Sequence, residues 1–432
     1  MKIIQLLGRI EGSGVTRYII ELNNALKKIG HEVDIIYFDN NLKAENNMQN
    51  ISNLKTMKYS DELLSLLNSS DIVLINSLIS KKATTEHKNN FYKLVKQING
   101  PIKALFCIDH NLAGIRSYYG DEYIKDPNLI LKHIDKFVTF SPEAPVISKI
   151  KEYYPDIINK YVHLHLCYEF SDKDFIDFNK KYKRITYLGR IAGFKDPIRL
   201  LRCQNELTAA GYQLEMRGIL PTIGAAGVPD LLYQLDDNGK KLGPSKRTIN
   251  LINEKEIYKL YPNEDASLIH FNDRDIDKIY IFGRYKREDG MNAVKYSMFG
   301  CDFYWHKNPL AFGDTYEFCI AEIMDSGTIP LLDYSTGVNC KCHSNGYRTN
   351  KSFLDNDAGV YLKYDCSNVN EVIEQMNYLS NNKNAYDAFR QNCFNIFKEH
   401  YNPISIANRL VSDLTSNDNY NGLAEFGINK LF

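Results

Sequence analysis

Met1-Lys-Ile-Ile-Gln-Leu-Leu7 runs into Gly8-Arg-Ile-Glu-Gly12-Ser-Gly14-Val-Thr16, then into Arg17 to Lys28, then into His31-Glu-Val-Asp-Ile-Ile-Tyr-Phe38. The first piece reads as an apolar strand, too short and wrongly flanked for a signal peptide. In the third, Ile19, Ile20, Leu22, Leu26 and Ile29 recur at three- and four-residue steps, which predicts a helix that Gly30 stops. The fourth is a second strand. Strand, Gly-x-Gly loop, helix, strand is a Rossmann-type unit, and its loop, with Gly12, Gly14 and Val15, can lie close to a phosphate. The spacing is not Gly-x-Gly-x-x-Gly, because position 17 is Arg. The motif is therefore weak as a dinucleotide fingerprint and better as a glycine-rich loop over a diphosphate.

Outward from this unit the alternation continues. Asp71–Ser77, Ile102–Ile108, Lys136–Phe140 and Tyr161–Leu166 are mostly continuous apolar runs, as in parallel strands covered on both faces, with a helix at Asn89–Ile98. The charged stretch Ser171–Arg184 reads as a linker. The pattern then restarts: strand Ile185–Gly189, helix Pro197–Ala210, strand Gln213–Met216, strands at Thr248–Ile252 and Lys278–Phe282, a strand near Cys301–Trp305, and helices from Asn370 onward. The Gly- and Pro-containing segment Ile219–Arg247 reads as an insertion. An α/β chain of two doubly wound halves is expected, with ligands in a cleft at the carboxyl ends of the strands. The boundaries are set at 1–170 and 171–403, with a C-terminal helix within 404–432 packing back on the first half.

Composition narrows the classes. A chain of 432 residues is long for a single core. Formal net charge is zero, so there is no global basic footprint for nucleic acid, although a local basic surface stays open. The longest apolar runs are strand-length, and no membrane partner is expected. Nine cysteines are scattered without Cys-x-x-Cys pairs, which fits a reducing cytoplasmic setting. Cys340-Lys-Cys342-His343 is too tight for a zinc knuckle, and no metal is expected.

Three groups of residues carry chemistry. Glu317-Phe-Cys-Ile-Ala-Glu322 leads through Gly327-Thr-Ile-Pro330 to Ser335-Thr336-Gly337. Acid, helix, strand and small-residue loop fit a nucleotide-sugar donor site, in which a carboxylate grips ribose hydroxyls and backbone N–H groups approach sugar or phosphate. The competing reading is an amphipathic helix with a solvated Glu followed by a tight turn. Arg190 and Lys195 follow a strand end and can clamp a diphosphate, or be two surface charges. Asp109-His110 ends another strand; the acid can take a proton from an acceptor hydroxyl, or the two can be a satisfied structural pair. Arg116 follows as a candidate phosphate contact.

Taken in order, Ile10–Thr16, Gly30–Val33, Asp71–Ser77, Asp109-His110, Gly189-Arg190 with Lys195, Glu317, Glu322, Gly327–Pro330 and Ser335–Gly337 resemble the DNA α-glucosyltransferases of the T-even bacteriophages. The resemblance spans nearly the whole chain. It implies a GT-B fold, two Rossmann-like domains facing a central cleft, with an N-terminal acceptor domain and a C-terminal donor domain. It implies a hexosyltransferase that moves glucose with retention from a UDP-sugar, without an added cofactor, to a hydroxymethylated pyrimidine flipped out of double-stranded phage DNA in the host cytoplasm. A retaining transferase acting on a glycan, lipid carrier or protein is the alternative, as is a nucleotide-sugar-binding protein without turnover. By this resemblance Glu322 holds the ribose, Glu317 lies nearer the sugar, Arg190 and Lys195 hold the diphosphate, and Ser335, Thr336 and Gly337 line the donor site. Asp109 and His110 match the end of a His-Asp-His run whose first His is Ile108 here, and Arg217-Gly218 stands where the family has Glu-Gly. Both departures bear on the identity of sugar and acceptor. Oligomeric state is not legible.

Overall fold

A computed structural model describes residues 1–8, 14–39, 54–77, 84–107, 130–139, 161–163, 167–171, 174–189, 198–217, 233–235, 241–244, 249–252, 279–282, 287–303, 318–334, 359–363 and 365–416. The chain divides into two compact units, Met1–Glu169 with Tyr401–Phe432, and Phe170–His400.

The first unit is built on β1 (Lys2–Leu7), α1 (Gly14–Lys28), β2 (Glu32–Phe38), β3 (Leu54–Met57), α2 (Asp61–Asn68), β4 (Ile72–Ser77), α3 (Thr85–Gln97), β5 (Ile102–Cys107), β6 (Lys136–Thr139) and β7 (Tyr161–His163). Its seven strands pair in parallel in the order β3-β2-β1-β4-β5-β6-β7. Side chains alternate across the sheet. Ile4, Leu6, Ile36, Val73 and Ile75 pack with Leu63, Leu67, Phe91 and Leu94 on one side, while Leu7 and Ile35 meet Ile19 of α1 on the other. Burial on both faces is why these strands read as unbroken apolar runs rather than alternating ones. Ser60 and Thr84 cap α2 and α3 by accepting from Leu63 N and His87 N. Helix Pro403–Thr415, capped by Asn402, belongs to this unit and packs on α1.

The second unit carries β8 (Tyr182–Leu188), α4 (Ile198–Arg202), α5 (Gln204–Ala209), β9 (Gln213–Arg217), β10 (Tyr233–Leu235), β11 (Lys241–Pro244), β12 (Ile249–Ile252), β13 (Ile279–Phe282), α6 (Arg287–Lys295), β14 (Ser297–Cys301), α7 (Phe318–Asp325), β15 (Ile329–Tyr334), β16 (Val360–Lys363), α8 (Val369–Asn381) and α9 (Lys383–His400). Seven strands again pair in parallel, in the order β12-β13-β9-β8-β14-β15-β16, and β10 and β11 form a separate antiparallel pair. In both sheets the winding direction reverses beside the first strand, between β1 and β4 and between β8 and β14.

Three helix-to-strand turns share one device. Gly30, Gly211 and Gly327 all have positive φ. Each helix ends in the paired hydrogen bonds of a Schellman turn, for α7 Gly327 N to Met324 O at 2.9 Å and Thr328 N to Ile323 O at 3.2 Å. At Gly327 (φ +66) a Cβ would lie 2.3 Å from Phe175 Cδ1. Gly327→Ala is therefore expected to cost about 2–4 kcal/mol, combining left-handed backbone strain with a ring clash. Urea unfolding that shows a loss under about 0.5 kcal/mol, the size of an ordinary surface change, would remove this account.

Three expectations need correction. The supposed linker Ser171–Arg184 starts at the boundary between the units but runs too far: Lys181 and Arg184 are buried, and Tyr182–Leu188 is the central strand of the second sheet. Its charges are absorbed by partners. Lys181 Nζ donates to Lys295 O, Ser297 O and Thr328 Oγ1 at 2.9–3.0 Å. Arg184 donates to Ser297 Oγ at 2.7 Å and to Glu215 Oε2 at 3.0 Å. The strand expected near Cys301–Trp305 lies earlier, at Ser297–Cys301. The helix expected over Pro197–Ala210 is two short helices meeting at Cys203. Strands β3 and β16 and helices α2 and α6 had no sequence expectation. Most of Ile219–Arg247 lies outside the described residues.

Candidate donor and acceptor site

The sheets place their ligand-binding edges by topology. In an open parallel sheet the crevice lies outside the carboxyl ends of the strands, where the winding reverses. In the first unit that point is the end of β1, followed by the loop to Gly14, where α1 starts with Gly14 and Val15 in its first turn. The N–H groups of a first helical turn have no intrahelical partner, which suits this place to an anion. β5 ends at Cys107 on the same sheet, and Asp109 follows it two residues later in the sequence, outside the described residues. Nearby, burial raises the Tyr18 hydroxyl well above the ordinary tyrosine range, with the Cys167 thiol adding to it.

In the second unit β8 ends at Leu188, and Gly189 follows it, the residue before Arg190. A Cβ on Gly189 would stand 2.8 Å from Asp302 Oδ1. The Asp302 carboxylate, buried just past the end of β14, therefore packs against the bare backbone of Gly189. Arg199, in the first turn of α4, is fully buried. Its guanidinium lies 4.5 Å from the Phe303 ring centroid and donates to Leu362 O at 3.4 Å. Cys301 sits between these charges. Burial pushes its thiol up, Asp302 adds to that, and Arg199 opposes it. Asp302 and Arg199 were not among the sequence candidates. The strand expected to run to Trp305 hid Asp302, which is the polar residue directly after an apolar strand.

Glu322 lies on α7 and is 8% exposed, within an unbroken buried run from Ile320 to Met324. This corrects the amphipathic alternative, because no solvated face exists along that run. Gly300 lets the helix approach β14: a Cβ there would meet Ile323 Cγ2 at 2.9 Å. The Gly327–Pro330 segment is largely structural, with Thr328 Oγ1 donating to Val294 O at 2.7 Å. Arg217 is also turned inward, ion-paired with Glu215 rather than offered to a ligand. Gly12, Asp109, His110, Arg116, Arg190, Lys195, Gly218, Glu317, Ser335, Thr336 and Gly337 lie outside the described residues. Among the described residues, no helix is long and apolar enough to cross a membrane.

Two parallel α/β units of this kind define a GT-B glycosyltransferase fold. Residues 13–188 match the family model described as DNA alpha-glucosyltransferase. The chain is 23% identical over 426 residues to the DNA alpha-glucosyltransferase of Enterobacteria phage T4, spanning 93% of this chain and 96% of that one. A solved α-glucosyltransferase in complex with UDP and a 13-mer DNA containing an HMU base superposes with a TM-score of 0.71 at 17% identity, covering 96% of this chain and all of that one. A second, in complex with UDP-glucose and DNA containing an abasic site, gives 0.70 at 18% identity, covering 96% of this chain and 99% of that one. The resemblance to the phage DNA α-glucosyltransferases thus extends over nearly the whole chain.

Proposed function

We propose that this chain is a retaining glucosyltransferase that moves glucose from UDP-glucose to a hydroxymethylated pyrimidine in duplex phage DNA, in the host cytoplasm. The observation that carries the reading is the match to the phage T4 enzyme over 93% of the chain, which spans both units rather than the donor half alone. Under this reading the bond from the anomeric carbon to the UDP oxygen breaks, and the hydroxymethyl oxygen attacks from the same face. Its proton passes to Asp109 or to the departing phosphate oxygen. Arg190 and Lys195 stabilise the charge that grows on leaving UDP, with no metal ion or other cofactor required. A hydroxyl on a stacked base cannot reach a sugar buried in a cleft, so the nucleotide is flipped out of the duplex. Arg116 contacts a backbone phosphate.

Glu322 accepts hydrogen bonds from the ribose hydroxyls, strengthened by the low dielectric around a buried carboxylate. Glu322→Ala is expected to weaken UDP binding by about 2 kcal/mol, the worth of a charge-assisted hydrogen-bond pair. Calorimetry with unchanged UDP affinity would remove this assignment. The function is tested by incubating the protein with a panel of UDP-sugars and with hydroxymethylated or plain DNA, followed by nucleoside mass spectrometry. Glucose on the hydroxymethylated base supports it. Transfer only to a glycan or lipid carrier would replace the acceptor.

A further inference from the structure

The first unit's reversal point holds a polar device that the proposed chemistry does not use. Gln5 on β1 and Asn76 on β4 are both buried. By strand alternation Gln5 shares the face of Leu7, which packs against α1. Gln5 Nε2 donates to the Ile19 carbonyl of α1 at 3.3 Å. Asn76 Nδ2 donates to Gln5 Oε1 at 3.1 Å and to Leu74 O at 3.4 Å. Chemistry fixes these amide orientations. A backbone carbonyl accepts only, so Gln5 must turn its nitrogen to Ile19 and its oxygen to Asn76. Asn76 Oδ1 is then left buried with no hydrogen-bond partner.

Asn76 is also the extra residue of a bulge, because Leu6 pairs with Ile75 whereas Leu7 pairs with Ser77. Bulges are rare between parallel strands and re-aim side chains next to active sites. An orphaned acceptor costs stability, and two leucines would fill this space without that cost. The pair instead ties β1, β4 and the second turn of α1 together, five residues into the helix that begins at Gly14.

We propose that the Gln5–Asn76 pair is a positioning device for the transfer reaction, fixing the first turn of α1, with Gly14 and Val15, at the carboxyl edge of the first sheet. This rests on the reading of Gly14 and Val15 as part of the substrate site. Asn76→Leu and the double variant Gln5→Leu/Asn76→Leu test it. In the double variant both polar partners leave together, so it is expected to keep its melting temperature. Its kcat on hydroxymethylated DNA should fall about 10²-fold through misplacement of the first turn of α1, with KM for UDP-glucose little changed. Amide exchange in the first two turns of α1 should quicken about tenfold. A folded double variant with wild-type kcat and exchange overturns the proposal. Unfolding of the double variant overturns it as well, because the pair would then be a requirement of the core. The exchange measurement needs no substrate. A wild type that never modifies DNA therefore removes the proposed function while leaving this test in force, with quickened exchange supporting the positioning role and unchanged exchange refuting it.

Discussion

Arg184→Met should lower the stability of the second unit by about 3–5 kcal/mol, the scale of a buried ion pair broken on one side. Arg184 and Glu215 are both fully buried, and their side chains meet at 3.0 Å. Arg184 also donates to Ser297 Oγ at 2.7 Å and to the Ala293 carbonyl at 2.5 Å. Methionine fills much of the volume but takes from Glu215 one of its cations, and strips donors from Ser297 and Ala293. The cluster sits toward the start of β8 and at the first residue of β14, the opposite sheet edge from the proposed donor site. Chemical denaturation should therefore show the loss while kcat of the folded fraction stays unchanged. A loss under about 1 kcal/mol, the worth of an exposed pair, would show that the cluster contributes no more than a surface one. A fall in kcat without a fall in stability would relocate it to the chemistry.

The same cluster shows why part of the fold escaped the sequence. Lys181 and Arg184 lie in a run of charges, and charge predicts solvent unless partners are known. Those partners, Glu215, Ser297 and Thr328, lie 31 to 147 residues away. The β-strands of the first unit were legible for the converse reason. A strand buried on both faces declares itself as Ile3-Ile4-Gln5-Leu6-Leu7 or Ile72-Val73-Leu74-Ile75, with no distant residue needed to interpret it. Gly30 was legible as a helix stop because its left-handed conformation is a local demand. Gly189 was not, because the pressure on it comes from Asp302, 113 positions later, and only the register of β8 on β14 reveals the contact. In the candidate site Glu322 was found through its motif. Its burial was not, because an acid on a helix is ordinarily solvated, and only the packed structure shows this one enclosed.

Asp109→Ala is expected to reduce transfer to hydroxymethylated DNA by about 10²- to 10⁴-fold, the range of one acid–base or charge-stabilising group. Affinity for UDP should be retained, since the proposed donor contacts come from Glu322, Arg190 and Lys195 in the other half of the chain. Two roles predict different behaviour around this loss. If Asp109 accepts the hydroxymethyl proton, Asp109→Asn is as damaged as Asp109→Ala, and the acid limb of the wild-type pH profile disappears in both. If it stabilises positive charge at the anomeric carbon, the loss falls on kcat with UDP-glucose regardless of acceptor, and appears equally in slow hydrolysis of the donor. His110, the next residue, can orient the carboxylate in either case, so His110→Ala should give a smaller loss of the same kind. Ile108 adds a specificity arm. The sugar transferred is read directly from the mass of the modified nucleoside. Full transfer by Asp109→Ala would show that this acid has no part in the reaction.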